Sequence, residues 1–167
     1  QDGICVLNPD LTVRYTNAKM DEWYQKGLPL AGQKCFRGFH NNEQRCEDCP
    51  ALRSLKSKKM ESKIKKLPEE HQLDYVEVFS YPIFEEEGGE VTGVVEFVRD
   101  ITERKEQERE IKYLLYRDSL TGLYNRRFFE EEMKRLDTKR QLPISIIMAD
   151  VNGLKIINDS YGHDTGD

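Results

Sequence analysis

Two β-prone runs in the middle of the chain constrain its fold more than any other feature. Residues 71–84 and 91–101 are rich in valine, phenylalanine and tyrosine, which favour extended backbone. The acidic segment 85–90, which contains two adjacent glycines, separates the runs and predicts an exposed hairpin loop. The sequence therefore predicts a long antiparallel hairpin at the centre of a domain.

The segments before this hairpin complete the predicted domain. Two short β-prone runs, residues 3–7 and 11–15, flank the turn-forming sequence Asn-Pro-Asp at 8–10. Residues 17–59 read as short helices interrupted by glycine and proline, and Glu61–Lys66 reads as a weaker strand. This order predicts an α+β fold with one antiparallel sheet and helices packed on one of its faces.

A charged segment without glycine or proline follows the hairpin and predicts a linker helix that ends near Tyr116. Asp100 and Glu103 have the spacing of a reciprocal capping pair at its start. A helix of about 15 residues would be about 22 Å long. Its apolar residues cluster only at 111–115, which allows a short dimer contact and no sustained heptad seam.

Residues 1–104 resemble a PAS sensor domain. The resemblance depends on the order of strands, helices and hairpin, and on the exit sequence VVEFVRDITERK at residues 94–105. It implies a sensor of the PAS class, while another small α+β domain is the alternative.

The last third of the chain begins with a break at Gly122 and a new helix after Asn125, a favoured N-cap residue. Phe129, Met133 and Leu136 have helical spacing and predict a buried stripe on this helix.

Residues 144–149 read as a buried strand that ends in Asp150, before a turn at 151–153 and a helix at 154–160. A carboxylate at a strand end offers hard oxygen to Mg²⁺, and the free N–H groups of a helix start can face phosphate. By spacing alone, Asp150 either belongs to such a nucleotide site or only caps the next helix.

The sequences DSLTGLYNRR at 118–127 and DVNGLKIINDSYGHDTGD at 150–167 resemble the two opening motifs of the GGDEF-type diguanylate cyclase family. The resemblance covers residues 118–167 and implies an incomplete nucleotidyl-cyclase-like α/β segment. Members of this family join two GTP molecules into cyclic di-GMP, and each half-site of a homodimer holds one GTP.

The resemblance also implies roles for individual residues. Asp150 would coordinate Mg²⁺ through its carboxylate and Val151 through its backbone carbonyl. The N–H groups of Gly153 and Leu154 would hold the terminal phosphates. The family often has a second acidic residue where Asn152 stands, so we expect a modest effect on metal affinity.

Two further residues would recognise guanine by the same resemblance, Asn158 and Asp167. A carboxylate accepts hydrogen bonds from the ring N–H and the exocyclic amine of guanine, a donor pair that adenine lacks at those places. The Gly-Gly-Asp/Glu-Glu-Phe sequence of the family does not occur in the chain. We therefore expect residues 1–167 alone to be inactive.

The expected organisation is a PAS sensor domain at 1–104, a signalling linker helix at 105–117 and the N-terminal part of a diguanylate cyclase domain at 118–167. The parent protein is expected to be a homodimeric cyclase with GTP as substrate and Mg²⁺ as cofactor. The alternative is a PAS dimerisation module that binds a ligand or metal without enzymatic output, or a degenerate cyclase that only binds GTP.

Four cysteines lie in the predicted sensor, and three of them form the series Cys35, Cys46 and Cys49, with His40 between the first two. Cys-x-x-Cys together with another thiol and an imidazole suits Zn²⁺ or another metal. The same residues are also compatible with a reversible dithiol or with ordinary buried thiols. Cys5, in a strand, is expected to be core. A small-molecule ligand of the sensor is a further expectation of the resemblance, and its identity is open.

Charge and hydropathy narrow the partners and the location. The net charge is −5 with interspersed signs, and no basic stripe indicates nucleic acid. No apolar run approaches the roughly 20 residues that span a bilayer, and no leader peptide is visible. We expect a cytoplasmic protein, and an upstream membrane anchor in the parent is compatible with this expectation.

Overall fold

A computed structural model describes residues 2–68, 71–86 and 89–166, which divide into two units, residues 1–106 and 107–167. The first unit contains strands β1 (Gly3–Leu7), β2 (Val13–Thr16), β3 (Glu61–Lys66), β4 (Tyr75–Phe84) and β5 (Val91–Asp100), helices α1 (Ala18–Trp23), α2 (Cys35–Gly38) and α3 (Pro50–Ser57), and a 3₁₀ turn at Gln25–Gly27. Helix α4 (Thr102–Tyr116) crosses the boundary, and the second unit contains α5 (Arg126–Leu136), α6 (Leu154–Tyr161) and α7 (His163–Gly166).

The five strands form one antiparallel sheet in the order β2-β1-β5-β4-β3. The expected α+β fold with one antiparallel sheet is therefore confirmed. The central hairpin pairs β4 with β5, and its first strand begins at Tyr75, four residues later than the sequence predicts. The weaker strand at Glu61–Lys66 forms as predicted and pairs with β4 at the sheet edge.

One face of the sheet carries the core because alternate strand residues point to the same side. On β4 these are Val76, Val78 and Ser80, and on β5 they are Val94, Glu96 and Val98, all buried. Helix α1 packs against β1 and β2, and α3 packs against β3, β4 and β5. The core of the first unit therefore lies between the sheet and these helices.

Asn17 attaches α1 to the neighbouring strand. Its side-chain oxygen accepts the N–H of Met20 at 3.1 Å, which caps the helix, and the N–H of Ile4 on β1 at 2.9 Å. Its amide group donates to the carbonyl of Asp2 at 3.1 Å. One cap residue thus sets the position of α1 on the sheet as well as its first residue.

Helix α4 begins directly after β5 and is anchored to β4 by Thr102. The Thr102 hydroxyl oxygen accepts the N–H groups of Asp74 and Tyr75, each at 3.2 Å. The Asp100 side chain accepts the N–H of Thr102 at 2.9 Å, whereas the sequence predicts Glu103, one residue further on, as its capping partner. The residue between them, Ile101, is buried. The start of the linker helix is therefore part of the sensor fold.

In the second unit, Asn125 joins the end of α4 to the start of α5. Its side-chain oxygen accepts the N–H of Phe128 at 3.1 Å, as the N-cap prediction requires. Its amide nitrogen donates to the carbonyls of Leu115 at 2.9 Å and Arg117 at 3.2 Å. In the turn before it, the side chain of Asp118 accepts both the N–H and the hydroxyl of Thr121. The motif at residues 118–127 thus forms the corner between α4 and α5.

Two predictions for the second unit are wrong in this structure. The stripe on α5 is not buried, and 52% of Phe129 is exposed. Residues 144–149 form no strand, and 95% of Ile147 is exposed. A strand is stable only when a neighbour satisfies its backbone groups, and the described residues of this unit offer no strand beside it.

Candidate functional site

The segment that begins at Asp150 leads into α6 through a glycine turn. Gly153 has φ = +80°, a left-handed conformation that glycine adopts without strain, and it caps the helix. Its carbonyl accepts the N–H groups of Ile156 and Ile157, whereas the first N–H groups of a helix have no intrahelical acceptor. The N–H groups of Gly153 and Leu154 are therefore at the position where a phosphate could bind.

Asp150 and Val151 lie exposed immediately before this turn. Among the described residues, no hydrogen bond or ion pair engages the Asp150 carboxylate. Carboxylate and carbonyl oxygens are ligands that Mg²⁺ accepts. The chemistry of these two groups fits the implied metal, although the structure brings no further acidic ligand to them within the part it describes.

Asn158 lies one turn into α6. Its side-chain oxygen is sheltered from solvent and has no hydrogen-bond donor among the described residues. A sheltered acceptor without a donor is costly, so a ligand that donates there would remove the cost. Asp167, the second predicted guanine contact, lies outside the described residues.

The four cysteines of the first unit belong to its hydrophobic core or pack against it. Cys5, Cys35 and Cys49 are buried, Cys46 is half-buried, and all four are free thiols. Within the described ranges, no group of three or more His, Cys, Asp or Glu side chains is arranged to hold a metal ion. The structure thus gives no support to the metal site predicted from Cys35, Cys46, Cys49 and His40.

His40 is a poor cation in this environment. Burial lowers the pKa of its imidazole to about 4, and the charges of Lys65 and His71 lower it further. The ring lines a cavity of about 310 Å³ together with the aromatic side chains of Trp23, Tyr24 and Phe39. This cavity is large enough for a small organic molecule. Neutral His40 could form a hydrogen bond with a molecule bound there.

Glu96 is a functional candidate that the sequence interpretation missed. Its side chain is only 8% exposed, on the inner face of the sheet. Burial raises the pKa of its carboxyl, against the smaller opposing effects of Ser80 and Lys65. The alternation Val94-x-Glu96-x-Val98 places Glu96 on the same face as two apolar residues, and this is the signal in the sequence that could have indicated an inward position.

Comparison with known proteins follows the division into two units. The family described as "PAS fold" matches residues 1–106, and the family described as "Diguanylate cyclase, GGDEF domain" matches residues 115–167.

In the described residues, no helix has the length and apolar character needed to cross a membrane.

Two curated relatives illustrate the range of similar proteins. A diguanylate cyclase of Vibrio cholerae is 40% identical over 91 residues, which cover 52% of this chain and 28% of the relative. The cyclic di-GMP phosphodiesterase PdeB of Shewanella oneidensis is 33% identical over 78 residues, 47% of this chain and 9% of the relative. The chain thus spans less than a third of either protein.

Among solved structures, a sensory box sensor histidine kinase from Vibrio cholerae aligns with a TM-score of 0.48 at 15% identity. The alignment covers 61% of this chain and 83% of that one.

Proposed function

The chain belongs to the PAS fold family, and from this premise we propose that it is the sensory and regulatory region of a protein that makes cyclic di-GMP from two GTP molecules. The observation that carries the proposal is the GGDEF-family match at residues 115–167, directly after the PAS-family match at 1–106. The order of the two matches is that of a sensor followed by its output.

Residues 150–167, called here the nucleotide segment, support GTP as the substrate. Asp150 and Val151 would hold Mg²⁺, which when bound neutralises phosphate charge and favours ionisation of the attacking 3′-hydroxyl. Gly153 and Leu154 would direct N–H groups at the terminal phosphates. Asn158 would offer to a guanine donor its side-chain oxygen, which no described residue engages. Asp167 would be the second guanine contact.

Control by the sensor would pass through α4. We propose that the protein works as a homodimer, because each half-site holds one GTP and the two must meet before a bond can form. Residues 107–116 of α4 present exposed apolar side chains, among them Ile111 and Leu114, that suit a helix–helix contact. Because GTP is a cytoplasmic metabolite, we expect the output to act in the cytoplasm.

Residues 1–167 alone are proposed to be inactive, because they contain no Gly-Gly-Asp/Glu-Glu-Phe sequence. The second candidate function is a PAS module whose nucleotide segment only binds GTP or does nothing. The similarity to PdeB, a protein named as a phosphodiesterase, favours this second candidate. A protein that contains a similar sequence can therefore have a named activity other than cyclic di-GMP synthesis.

The test uses the full-length protein. Replacing Asp150 by Asn removes a charged metal ligand, and we expect formation of cyclic di-GMP to fall at least about 100-fold. Asp137→Asn, at the exposed C-cap of α5, is the matched control and should retain full activity.

The proposal is wrong if wild-type protein makes no cyclic di-GMP, or if Asp150→Asn and Asp137→Asn are equally active. GTP binding without product, measured by calorimetry with magnesium, would favour the second candidate.

A further inference from the structure

The segment from Cys46 to Cys49 forms a tight turn immediately before α3. Its third residue, Asp48, has φ = +49°, a left-handed conformation that aspartate tolerates better than most residues. A four-residue β-turn brings its first and last Cα atoms within about 7 Å. A disulfide spans Cα separations of roughly 4.4–6.8 Å. A turn of this kind is therefore compatible with the Cα separation that a disulfide between Cys46 and Cys49 requires.

Ion pairs hold this turn from two sides. Asp48 pairs with Arg53 of α3 and, at 3.3 Å, with Lys63 of β3. Lys63 also donates to the carbonyl of Glu47 at 3.1 Å. These contacts join the turn to a helix and a strand, so the two thiols are presented on a supported backbone.

The two thiols differ in access. Cys46 is half-buried and lines an open cavity of about 530 Å³ together with Lys63 and Lys65. Cys49 is buried at the N-cap of α3. Burial raises the pKa of its thiol, and the N–H groups of Leu52 and Ala51 oppose this rise only in part. Cys46 is thus the thiol that an incoming disulfide can reach. Cys49 lies in the same turn, so it can attack the mixed disulfide within the molecule, and this proximity offsets its raised pKa.

The third thiol of the series is less suited to this chemistry. Cys35 is buried on α2, and burial, followed by the neighbouring Glu96, Cys49 and Cys46, raises its pKa to about 12. Because the thiolate is the nucleophile, Cys35 would react slowly at neutral pH.

We propose that Cys46 and Cys49 form a reversible disulfide that makes the sensor unit responsive to the thiol–disulfide state of its surroundings. The Cys46 thiolate attacks a small-molecule disulfide such as oxidised glutathione, and the S–S bond of glutathione breaks to release one glutathione thiolate. The Cys49 thiolate then attacks the Cys46 sulfur and releases the second. The two protein protons pass to the two released thiolates, and the protein loses two electrons to glutathione.

A route from this turn to the linker helix is built into the fold. Helix α3, which begins at Pro50, packs against β3, β4 and β5. Strand β5 continues into α4 through the buried Ile101. A covalent bond at the start of α3 therefore constrains a helix that contacts the strand leading to the linker.

The experiment uses full-length protein equilibrated anaerobically with defined ratios of reduced and oxidised glutathione. Free thiols are then alkylated, and peptides are mapped by mass spectrometry. In wild type, two of the four cysteines of residues 1–167 should become unavailable together, and the linked peptide should contain Cys46 and Cys49. Cys35→Ala is the matched control and should form the same linkage.

Two single variants make the result decisive. Cys46→Ser should leave Cys49 free or slowly modified, and Cys49→Ser should accumulate the mixed disulfide of Cys46 with glutathione. A linkage that involves Cys35, an absence of any linkage, or one equivalent of metal retained by these cysteines in the anaerobic protein would overturn the proposal. None of these readouts depends on cyclase activity, so its failure is distinct from failure of the proposed function.

Discussion

Ser80 donates a hydrogen bond of 2.8 Å from its hydroxyl to Oε1 of Glu96, directly across the pairing of β4 with β5. Both side chains are buried on the inner face of the sheet. One hydrogen bond does not replace the water that a carboxylate loses on burial, so the protonated form of Glu96 is favoured. Burial raises the pKa of Cys5 on β1 and of Tyr24, and the nearby Glu96 charge would raise each of them further.

This relationship predicts a pH-dependent stability. Because the folded pKa of Glu96 is raised above the ordinary value of 4.5, its contribution is fully present below pH 4.5 and is lost as pH rises through the folded pKa. A tenfold change in the acid constant of one group corresponds to about 1.4 kcal/mol in the free energy of unfolding. Glu96→Gln should flatten this part of the pH profile and unfold at higher urea than wild type at pH 8.

The control for Glu96→Gln is Glu77→Gln, on the outer face of β4. It should leave the profile of urea midpoints unchanged. The interpretation fails if Glu96→Gln lowers the midpoint equally at pH 5 and pH 8, since that would indicate a packing defect without a titrating group.

The hydroxyl of Thr102 is predicted to stabilise the junction between β5 and α4. Thr102→Val keeps the shape of the side chain but leaves the N–H groups of Asp74 and Tyr75 without this acceptor. The loss should be about 1–3 kcal/mol, seen as faster amide exchange at these two residues. Thr92→Val, which removes only a 3.4 Å bond on an exposed strand position, should exchange as wild type does. Equal protection in both variants would contradict the assignment.

The cap at Asn125 is predicted to determine whether α5 is stable. Asn125→Ala removes the N-cap bond and both bonds to the end of α4, at a cost of about 0.5–2 kcal/mol for the cap alone. Amide exchange in the first turn of α5 should accelerate by about 2- to 30-fold, the range that corresponds to this free energy. Gln141→Ala, in the exposed segment after α5, is the control. Unchanged exchange in α5 would show that the ring contacts of Phe128 with Tyr116 and Tyr124 hold the corner instead.

The side-chain oxygen of Asn158, which has no donor in the described part of the chain, predicts a role in selecting the nucleotide. In full-length protein, Asn158→Ala should weaken GTP binding by about tenfold, the value of one ordinary hydrogen bond. Binding of ATP should change much less, because adenine lacks the corresponding donors. Calorimetric titration of both nucleotides measures the ratio, and Asp159→Ala, the next residue on α6, is the control. A parallel loss for both nucleotides would mean that Asn158 only supports the helix.

The linker helix is predicted to transmit rotation to the output. Each residue inserted within positions 106–112 rotates the downstream part of the chain by about 100°. One-, two- and three-residue insertions should therefore change cyclic di-GMP synthesis by the full-length protein by different amounts. A seven-residue insertion returns to within about 20° of the original phase and should recover most activity. Equal activity in all four insertions would show that the helix is only a spacer.

Local patterns in the sequence determined where most of the strands lie and where α5 begins. Two β-prone runs on either side of an acidic Gly-Gly segment identified the hairpin of β4 and β5, because both strands and their loop are adjacent in sequence. A weaker run identified the edge strand Glu61–Lys66. Asn125 identified the start of α5, because a cap bond joins residues only three apart. The motifs at 118–127 and 150–167 indicated the GGDEF-family similarity that the comparison finds at residues 115–167.

Only the tertiary structure decided which groups are buried and which are supported. The alternation Val94-x-Glu96-x-Val98 puts Glu96 on one face of β5, but its burial depends on the helices α1 and α3, which pack on the sheet from distant parts of the sequence. The turn that brings Cys46 toward Cys49 is held by Lys63, from a strand that follows it. Residues 144–149 have the composition of a strand and yet form none here, because hydrogen-bonded neighbours make a strand and composition alone does not.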